Sequence, residues 1–315
     1  MTVAPAAAQQ CKACIRLPKA KAFVDWLLHH WQSEGLQVRQ PQPDGLELAL
    51  ANVGVVSLQV ASTKRLDCVL QPVNARMGEL MQLSLTEHLA EFADDMGWPD
   101  DSWAITWEGE PARSAVQLHI ARVIRNQPLT PRMRRIRLAL DGTAAFAPGG
   151  LHVRLLLPQA GVAPAWPTVL DDGRLQWMAG KNRLTRRTYT ISAINIEESW
   201  IEIDALLHQA PTGTPGDSPG ASWAASAAPG SEVGVLSPAG GLVHHAAHRV
   251  LVADACALPA AARMVAAQPA GHTAHVLLWV ADAQERPAFA AAPNTSVTWL
   301  YGGRPGATQL EIAQV

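Results

Sequence analysis

Long hydrophobic runs are absent: no stretch approaches the ~18 consecutive apolar residues of a membrane-spanning helix, so no membrane span is expected. Excess charge of one sign is absent too. Lys plus Arg number 25 against 27 Asp plus Glu, a formal balance of −2. That excludes a protein held on nucleic acid or anionic lipid by bulk charge. The N-terminus, MTVAPAAAQQCKAC, has no apolar core of signal-peptide length, and a cytoplasmic protein is expected. Cysteine is scarce, at four residues. Cys11 and Cys14 form a C-x-x-C, the spacing of a redox pair or of half a zinc site. With no second such pair and no βαβ pattern around them, they read as dangling N-terminal residues without assigned chemistry, and no metal site is expected. Cys68 and Cys256 sit in apolar surroundings and read as packed or incidental thiols. Tyr and Phe are rare, at 2 and 4 residues against 11 Trp.

What is present suffices for packed cores. Apolar residues make up 48% of the 315 residues and charged residues 17%, which argues against wholesale disorder and allows two or three domains. Charge is unevenly spread. Residues 1–108 hold 8 Lys/Arg and 13 Asp/Glu, residues 109–243 hold 13 and 10, and residues 244–315 hold 4 and 4. Three units with different surfaces are expected at those boundaries.

The first unit reads as a small α+β domain. Ala20, Phe23, Val24, Leu27, Leu28 and Trp31 recur at spacings of three and four, which predicts a helix over 19–31. Asp44-Gly45 marks a turn, and strands are expected over 46–50, 53–60 and 66–70. A second helix is expected over 79–96, with Met81, Leu85, Leu89, Phe92 and Met96 on one face. The second unit switches to period two. Val116, Leu118 and Ile120 alternate with Gln117, His119 and Ala121, and further strands are expected over 134–140, 152–158, 187–193 and 200–207. Their Pro/Gly punctuation suggests an antiparallel sheet closed into a barrel. In the third unit, strand 249–252, Ala-rich helix 257–267 and strands 273–280 and 297–301 open a doubly wound, Rossmann-like α/β domain.

The most specific local pattern is Arg187-Thr188-Tyr189-Thr190-Ile191-Ser192. An Arg that reaches a phosphate, beside an aromatic ring that covers a planar heterocycle, suits a flavin nucleotide. A hydroxyl two or three residues on can bond the ring's polar edge. The same pattern suits an ordinary exposed strand with an aromatic packed on its back. Downstream, Ser218-Pro219-Gly220-Ala221-Ser222-Trp223 is a Gly-containing loop opening onto Ala-rich residues. Its backbone N–H groups and helix dipole suit a pyrophosphate, though a Ser-capped surface loop fits as well. His244 and His248 stand four apart, but this stretch reads as a linker with solvated histidines. The run Arg132, Arg134, Arg135 and Arg137 lacks interleaved aromatics and reads as a solvated strand face.

The succession HVRLLLP (152–158), RRTYTIS (186–192), IEIDALLH (201–208), PGASWAASAAPG (219–230) and LVADACALPAAAR (251–263) resembles the siderophore-interacting protein family, flavin-dependent ferric-siderophore reductases related to ferredoxin reductases. Residues 1–108 are similar to a small α+β domain of unknown function sometimes fused ahead of such proteins. The resemblance implies FAD as cofactor, with Arg187, Tyr189, Thr190, Ser192, Asp204, His208, Gly220, Ala221, Ser222 and Trp223 contacting it. It implies NAD(P)H as electron donor, or in some members reduced ferredoxin, with Asp254, Ala257, Leu258 and Pro259 at the nucleotide site. A ferric siderophore is the implied substrate, and Arg154, Lys181 and Arg183 are the candidates for holding its negative charge. No side chain is expected to act as acid, base or nucleophile, because the flavin carries the electrons.

The departures from the family pattern matter as well. Ser192 stands where many members carry a second Arg. The family's G-D-E-T-A-L-P is here Ala253-Asp254-Ala255-Cys256-Ala257-Leu258-Pro259, without the Gly that permits close backbone approach. The family continues well beyond Tyr301, whereas Gly302–Val315 complete this sequence, so a truncated nucleotide domain is expected over 244–315. Two functions follow as expectations: an FAD-dependent ferric-siderophore reductase, or a degenerate or truncated member that binds flavin or siderophore without NAD(P)H-dependent activity.

Overall fold

The computed structural model describes residues 10–33, 36–99, 101–108, 118–146, 150–170, 175–177, 184–207, 218–239 and 246–302. The chain divides into two compact units, Met1–Leu118 with Ala165–Lys181, and His119–Pro164 with Asn182–Val315.

In the first unit, strand β1 (Cys11–Arg16) precedes helix α1 (Ala20–Ser33). Strands β2 (Val38–Arg39), β3 (Gly45–Leu50), β4 (Gly54–Ser62) and β5 (Arg65–Pro72) follow, then helix α2 (Ala75–Asp95) and β6 (Ala104–Trp107). The six strands make one antiparallel sheet in the order β2-β3-β4-β5-β1-β6. α1 buries Ala20, Phe23, Val24, Leu27 and Trp31, the stripe that the three-and-four spacing predicts. α2 starts where Asn74 Oδ1 accepts the Met77 N–H at 2.9 Å. It stops at Gly97, whose φ of +64° permits the paired bonds Gly97 N–H to Asp94 and Trp98 N–H to Ala93. Met96, expected on the buried face, is the cap residue just before Gly97 and is exposed.

The N-terminal cysteines do not dangle. β1 lies inside the sheet between β5 and β6, with Ala13 and Ile15 buried. Three residues apart on a strand, Cys11 and Cys14 point to opposite faces, which keeps their thiols apart. Cys68 is buried, and desolvation raises its thiol above the ordinary range. Cys256 is exposed, the incidental alternative, and none of the four cysteines is in a disulfide.

In the second unit, β7 (Leu118–Thr130), β8 (Met133–Ala139) and β9 (His152–Leu157) begin a barrel. The short hairpin β10 (Thr168–Val169) and β11 (Leu175–Gln176) belongs to the first unit. β12 (Thr185–Asn195), β13 (Trp200–Leu206), helix α3 (Pro219–Ser226) and β14 (Glu232–Ala239) complete the barrel segment. Its six strands close in the order β12-β13-β8-β7-β14-β9. Val123, Ile136, Leu138, Val153, Ile191 and Ile203 fill the interior. The apolar face expected on β7 is inverted: Ala121 and Val123 point inward, while Ile120 and Ile124 are exposed. Val123 N–H donates to Ser231 O and Val123 O accepts from Gly230 N–H, which fixes the register that turns Ala121 and Val123 inward.

β15 (His248–Asp254), α4 (Leu258–Ala266), β16 (Thr273–Val280) and β17 (Thr295–Tyr301) follow. The strands run parallel in the order β15-β16-β17, with α4 as the crossover. His248 begins β15 rather than lying in a linker, and its Nδ1 lies 2.8 Å from Thr273 Oγ1. Leu258, Ala261 and Val265 of α4 pack on Val276 and Leu278, and Met133 from the start of β8 enters the same core. α4 also lies against β12, and α3 contacts β12 and β13.

Candidate functional site

β12 and α3 meet at one end of the barrel. Trp223, Ala224 and Ala227 belong to the barrel core, so the apolar side of α3 plugs the barrel. Asn126 on β7 sets its angle: the side-chain amide donates to Ala224 O and Ala227 O, both at 2.9 Å, while Oδ1 accepts from Arg134 Nε. Two carbonyls at the C-terminal end of α3, those of Ala224 and the cap residue Ala227, are thereby satisfied, and its N-terminus faces Arg187 and Tyr189. The closest approach is at Gly220. A methyl group there would stand 2.8 Å from Tyr189 Oη and 3.5 Å from Arg187 Cγ. The amides of Gly220 and Ala221 precede the first intrahelical acceptor, whereas Ser222 N–H donates back to Ser218 O. Ser222 is exposed, and Ser218 makes no side-chain cap. Arg187 is exposed. Tyr189 is half-buried, tilted against Trp223 with ring centroids 6.3 Å apart. Burial raises its phenol to about 12, so the hydroxyl stays protonated.

Thr190 points to the alternate side of β12. Its Oγ1 lies 3.0 Å from His152 Nδ1 on the paired strand β9. Ser192 donates to Asp204 Oδ1 at 3.3 Å. Asp204 is engaged chiefly by Arg135, through two parallel bonds of 2.7 Å. That bond holds the Arg135 guanidinium above its ordinary range. Next to it Arg137 binds Glu202 at 2.9 Å and lies over the Trp200 ring at 3.8 Å. The arginine run is therefore a cross-strand ion-pair ladder and not a solvated face. Arg132 belongs to the same pattern, paired with buried Glu285. Arg154 is half-buried on β9, in register with Thr188 and Leu236.

At α4, Asp254 ends β15, and its Oδ1 accepts the N–H groups of Cys256 and Ala257, both at 3.0 Å. Leu258 and Pro259 are buried in the first turn. The structure thus brings Arg187, Tyr189, Gly220, Ala221 and Trp223 together and sets Thr190, Ser192 and Asp204 on the other face. Asp254, Ala257, Leu258 and Pro259 build the start of α4. His208, Lys181, Arg183 and His244 lie outside the described residues. Asn126, Arg135 and His152 were missed by sequence reasoning, since each acts through a partner far away in the sequence. For His152, the period-two placement opposite Thr190 was the available signal.

Comparison with known proteins is consistent with this geometry. A siderophore-interacting FAD-binding domain matches residues 122–242, and a siderophore-interacting protein domain matches residues 246–315. A siderophore utilization protein from T. fusca is 30% identical, with a TM-score of 0.51 over 63% of this chain and 75% of that one. The chain belongs to the siderophore-interacting protein family. SipS, the siderophore-interacting protein from Aeromonas hydrophila, is 26% identical over 63% of this chain and 73% of its own, with a TM-score of 0.49. The ferric vibriobactin reductase ViuB from Vibrio cholerae is 21% identical over 181 residues, 56% of this chain and 64% of the reductase. Within the siderophore-interacting FAD-binding domain lie the whole of β12, β13 and α3.

The donor set fits FAD. A guanidinium and open first-turn amides suit a diphosphate, a half-buried aromatic suits a planar ring system, and the missing Cβ of Gly220 lets the first turn of α3 come close to both Arg187 and Tyr189.

Proposed function

We propose that this siderophore-interacting protein binds FAD at the β12–α3 cradle and reduces a siderophore-chelated Fe(III) to Fe(II) with electrons from NAD(P)H. The observation that carries the reading is the close approach of Gly220 to Arg187 and Tyr189. In this reading Arg187 and the Gly220 and Ala221 amides hold the diphosphate. Tyr189 covers the ring system against Trp223, and Thr190, on the other face of β12, supports that strand through His152. Ser192 and Asp204 act at one remove, by fixing β12 to β13 and Arg135. Bound FAD supplies the conversion between a two-electron donor and a one-electron acceptor. One NAD(P)H releases a proton and reduces two Fe(III) to Fe(II), which the chelator holds weakly. Arg154, with Lys181 and Arg183, supplies positive charge for the anionic ferric siderophore. The name of the Vibrio reductase supports the reaction class.

The test is an FAD titration of the purified chain, followed by anaerobic addition of NADH or NADPH and then of a ferric siderophore with a ferrous-specific chelator present. Uptake of FAD, bleaching of its visible band and appearance of chelated Fe(II) are expected. A chain that takes up no FAD overturns the proposal. A second reading, flavin binding without reduction by NAD(P)H, is favoured by Asp254, whose carboxylate already occupies the amides at the start of α4. Uptake of FAD without bleaching by either nucleotide selects it.

A further inference from the structure

The first unit has a side-chain cluster of its own where α1 packs against α2. His30 lies one turn after Trp26 on α1, and the two rings stack with 5.0 Å between centroids and 6° between planes. His88, on α2, meets His30 at 5.1 Å and 76°, and stands 6.3 Å from Trp26. These three separations set Trp26 and His88 nearly at right angles as seen from His30. Trp26 covers a face of the His30 ring, so His88 lies off its edge, which is where an imidazole presents its nitrogens. Buried Trp31 also meets the His88 ring, at 6.0 Å and 81°. Trp26, His30 and His88 are half-buried, so solvent reaches the cluster.

The hydrogen bonds of His88 settle its tautomer. Nδ1 lies 2.6 Å from Ser84 O and 3.3 Å from Ser84 Oγ. A carbonyl oxygen only accepts, so Nδ1–H donates to it and Nε2 carries the lone pair. Metal-binding histidines are held in this way, the second ring nitrogen donating to a backbone carbonyl. The spacing fits as well. At a metal–nitrogen distance of about 2.1 Å each ring centre stands about 3.2 Å from the ion, and a tetrahedral angle then separates two ring centres by about 5 Å. His30 and His88 stand at 5.1 Å. Two nitrogen donors suit Zn, Ni, Cu or Fe, whereas Mg and Ca take oxygen. Among the described residues no group of three His, Cys, Asp or Glu gathers around an ion. The pair is therefore not a closed structural centre with four protein ligands.

We propose that His30 and His88 bind one divalent transition-metal ion between α1 and α2, its remaining positions open to water or to a donor atom of a chelator. The inference goes beyond ferric-siderophore reduction. It stands on the first unit alone, so its outcome does not depend on whether the cradle takes FAD.

The experiment titrates the full, untagged chain with Zn²⁺ by calorimetry and with Cu²⁺ by NMR. Zn²⁺ binding is expected, and its affinity should fall about 100-fold in His30→Gln and in His88→Gln, since losing a ligand costs at least as much as losing the group that orients it. His29→Gln, which removes the exposed neighbour of His30, should bind Zn²⁺ like the unsubstituted chain, and Mg²⁺ should give no heat. Thermal denaturation without metal identifies the variants that are folded. Paramagnetic Cu²⁺ reads the unsubstituted chain directly and keeps the test independent of how the variants fold. It is expected to broaden the signals of His30, His88 and the Trp26 indole ahead of those of the other histidines. Absence of Zn²⁺ binding, binding that survives either substitution in a folded variant, or broadening centred on other histidines overturns the proposal and leaves the pair as packing between the two helices.

Discussion

Gly220 is placed where a side chain has no room, because Tyr189 Oη lies 2.8 Å from the position its Cβ would take. Gly220→Ala pushes the end of a half-buried, rigid ring, and overpacking of this kind costs about 1–3 kcal/mol. The strain falls on the cradle, so FAD affinity is expected to drop about tenfold, at ~1.4 kcal/mol per decade, with a lower thermal midpoint for the apoprotein. Arg187→Ala separates the two effects. Arg187 is exposed, so its removal should leave the apoprotein midpoint in place while FAD affinity falls about 10- to 100-fold, the worth of a charged hydrogen bond. Fluorescence titration with FAD beside thermal denaturation checks both, and equal binding by the Arg187 variant would remove that residue from the site. Arg187, Tyr189, Gly220 and Trp223 were legible in the sequence because a strand motif and a Gly-led helix start are short-range patterns. The engagement of Asp204 was not, since Arg135 lies 69 positions away and only the β8–β13 register brings the two together.

At the scale of elements, strands with regular alternation were readable, and those that break it were not. β1 is short and carries small residues, with Ala13 and Ile15 as its buried positions, so it resembles a tail until β5 and β6 flank it. β7 misleads in the opposite way. Its large apolar residues Ile120 and Ile124 face out while Ala121 faces in, because barrel closure through Gly230 and Ser231 outweighs local hydrophobic size. α3 was expected from its Gly-led start, but its anchor is remote. Asn126, 98 positions upstream of Ala224, holds the two C-terminal carbonyls. Asn126→Ala removes both donors and an acceptor of Arg134, for an expected loss of about 2 kcal/mol and weaker FAD binding as the helix N-terminus drifts from Arg187. Asn126→Asp has the same shape without the N–H donors and should not restore either property. Urea denaturation read with FAD titration checks this, and a wild-type midpoint in both variants would show that α3 is held by its apolar contacts alone.

At the scale of the whole molecule, the excess of acidic residues lies in 1–108 and that of basic residues in 109–243. The barrel and the parallel sheet nevertheless form one compact unit. Besides α4 packed against β12 and Arg263 bonded to the carbonyls of Gly150 and Leu151, two features join them. Met133 enters the core of the parallel sheet, and Glu285, buried in the turn after β16, reaches the β7–β8 connection. Its carboxylate accepts from Thr130 Oγ1 at 2.5 Å and from the Arg132 backbone N–H and Nε, both at 3.1 Å. No local pattern marks Glu285, whose partner Thr130 is 155 positions away. Removing the carboxylate leaves buried donors without an acceptor, a loss of about 1–3 kcal/mol. The lower half of that range is expected, because Arg132 is 40% exposed and water can take over its charge. Glu285→Gln keeps an acceptor for Thr130 but turns an amide donor or a neutral oxygen toward Arg132, so it should fall between wild type and Glu285→Ala. Calorimetry is expected to show the parallel sheet melting ahead of the barrel in Glu285→Ala, where the unsubstituted unit melts in one step. Protease cleavage near residues 246–248 should accelerate in the same order. If both variants melt in a single transition at the wild-type temperature, Met133 and its apolar neighbours are enough to hold the sheet to the barrel, and the buried carboxylate contributes nothing to their union.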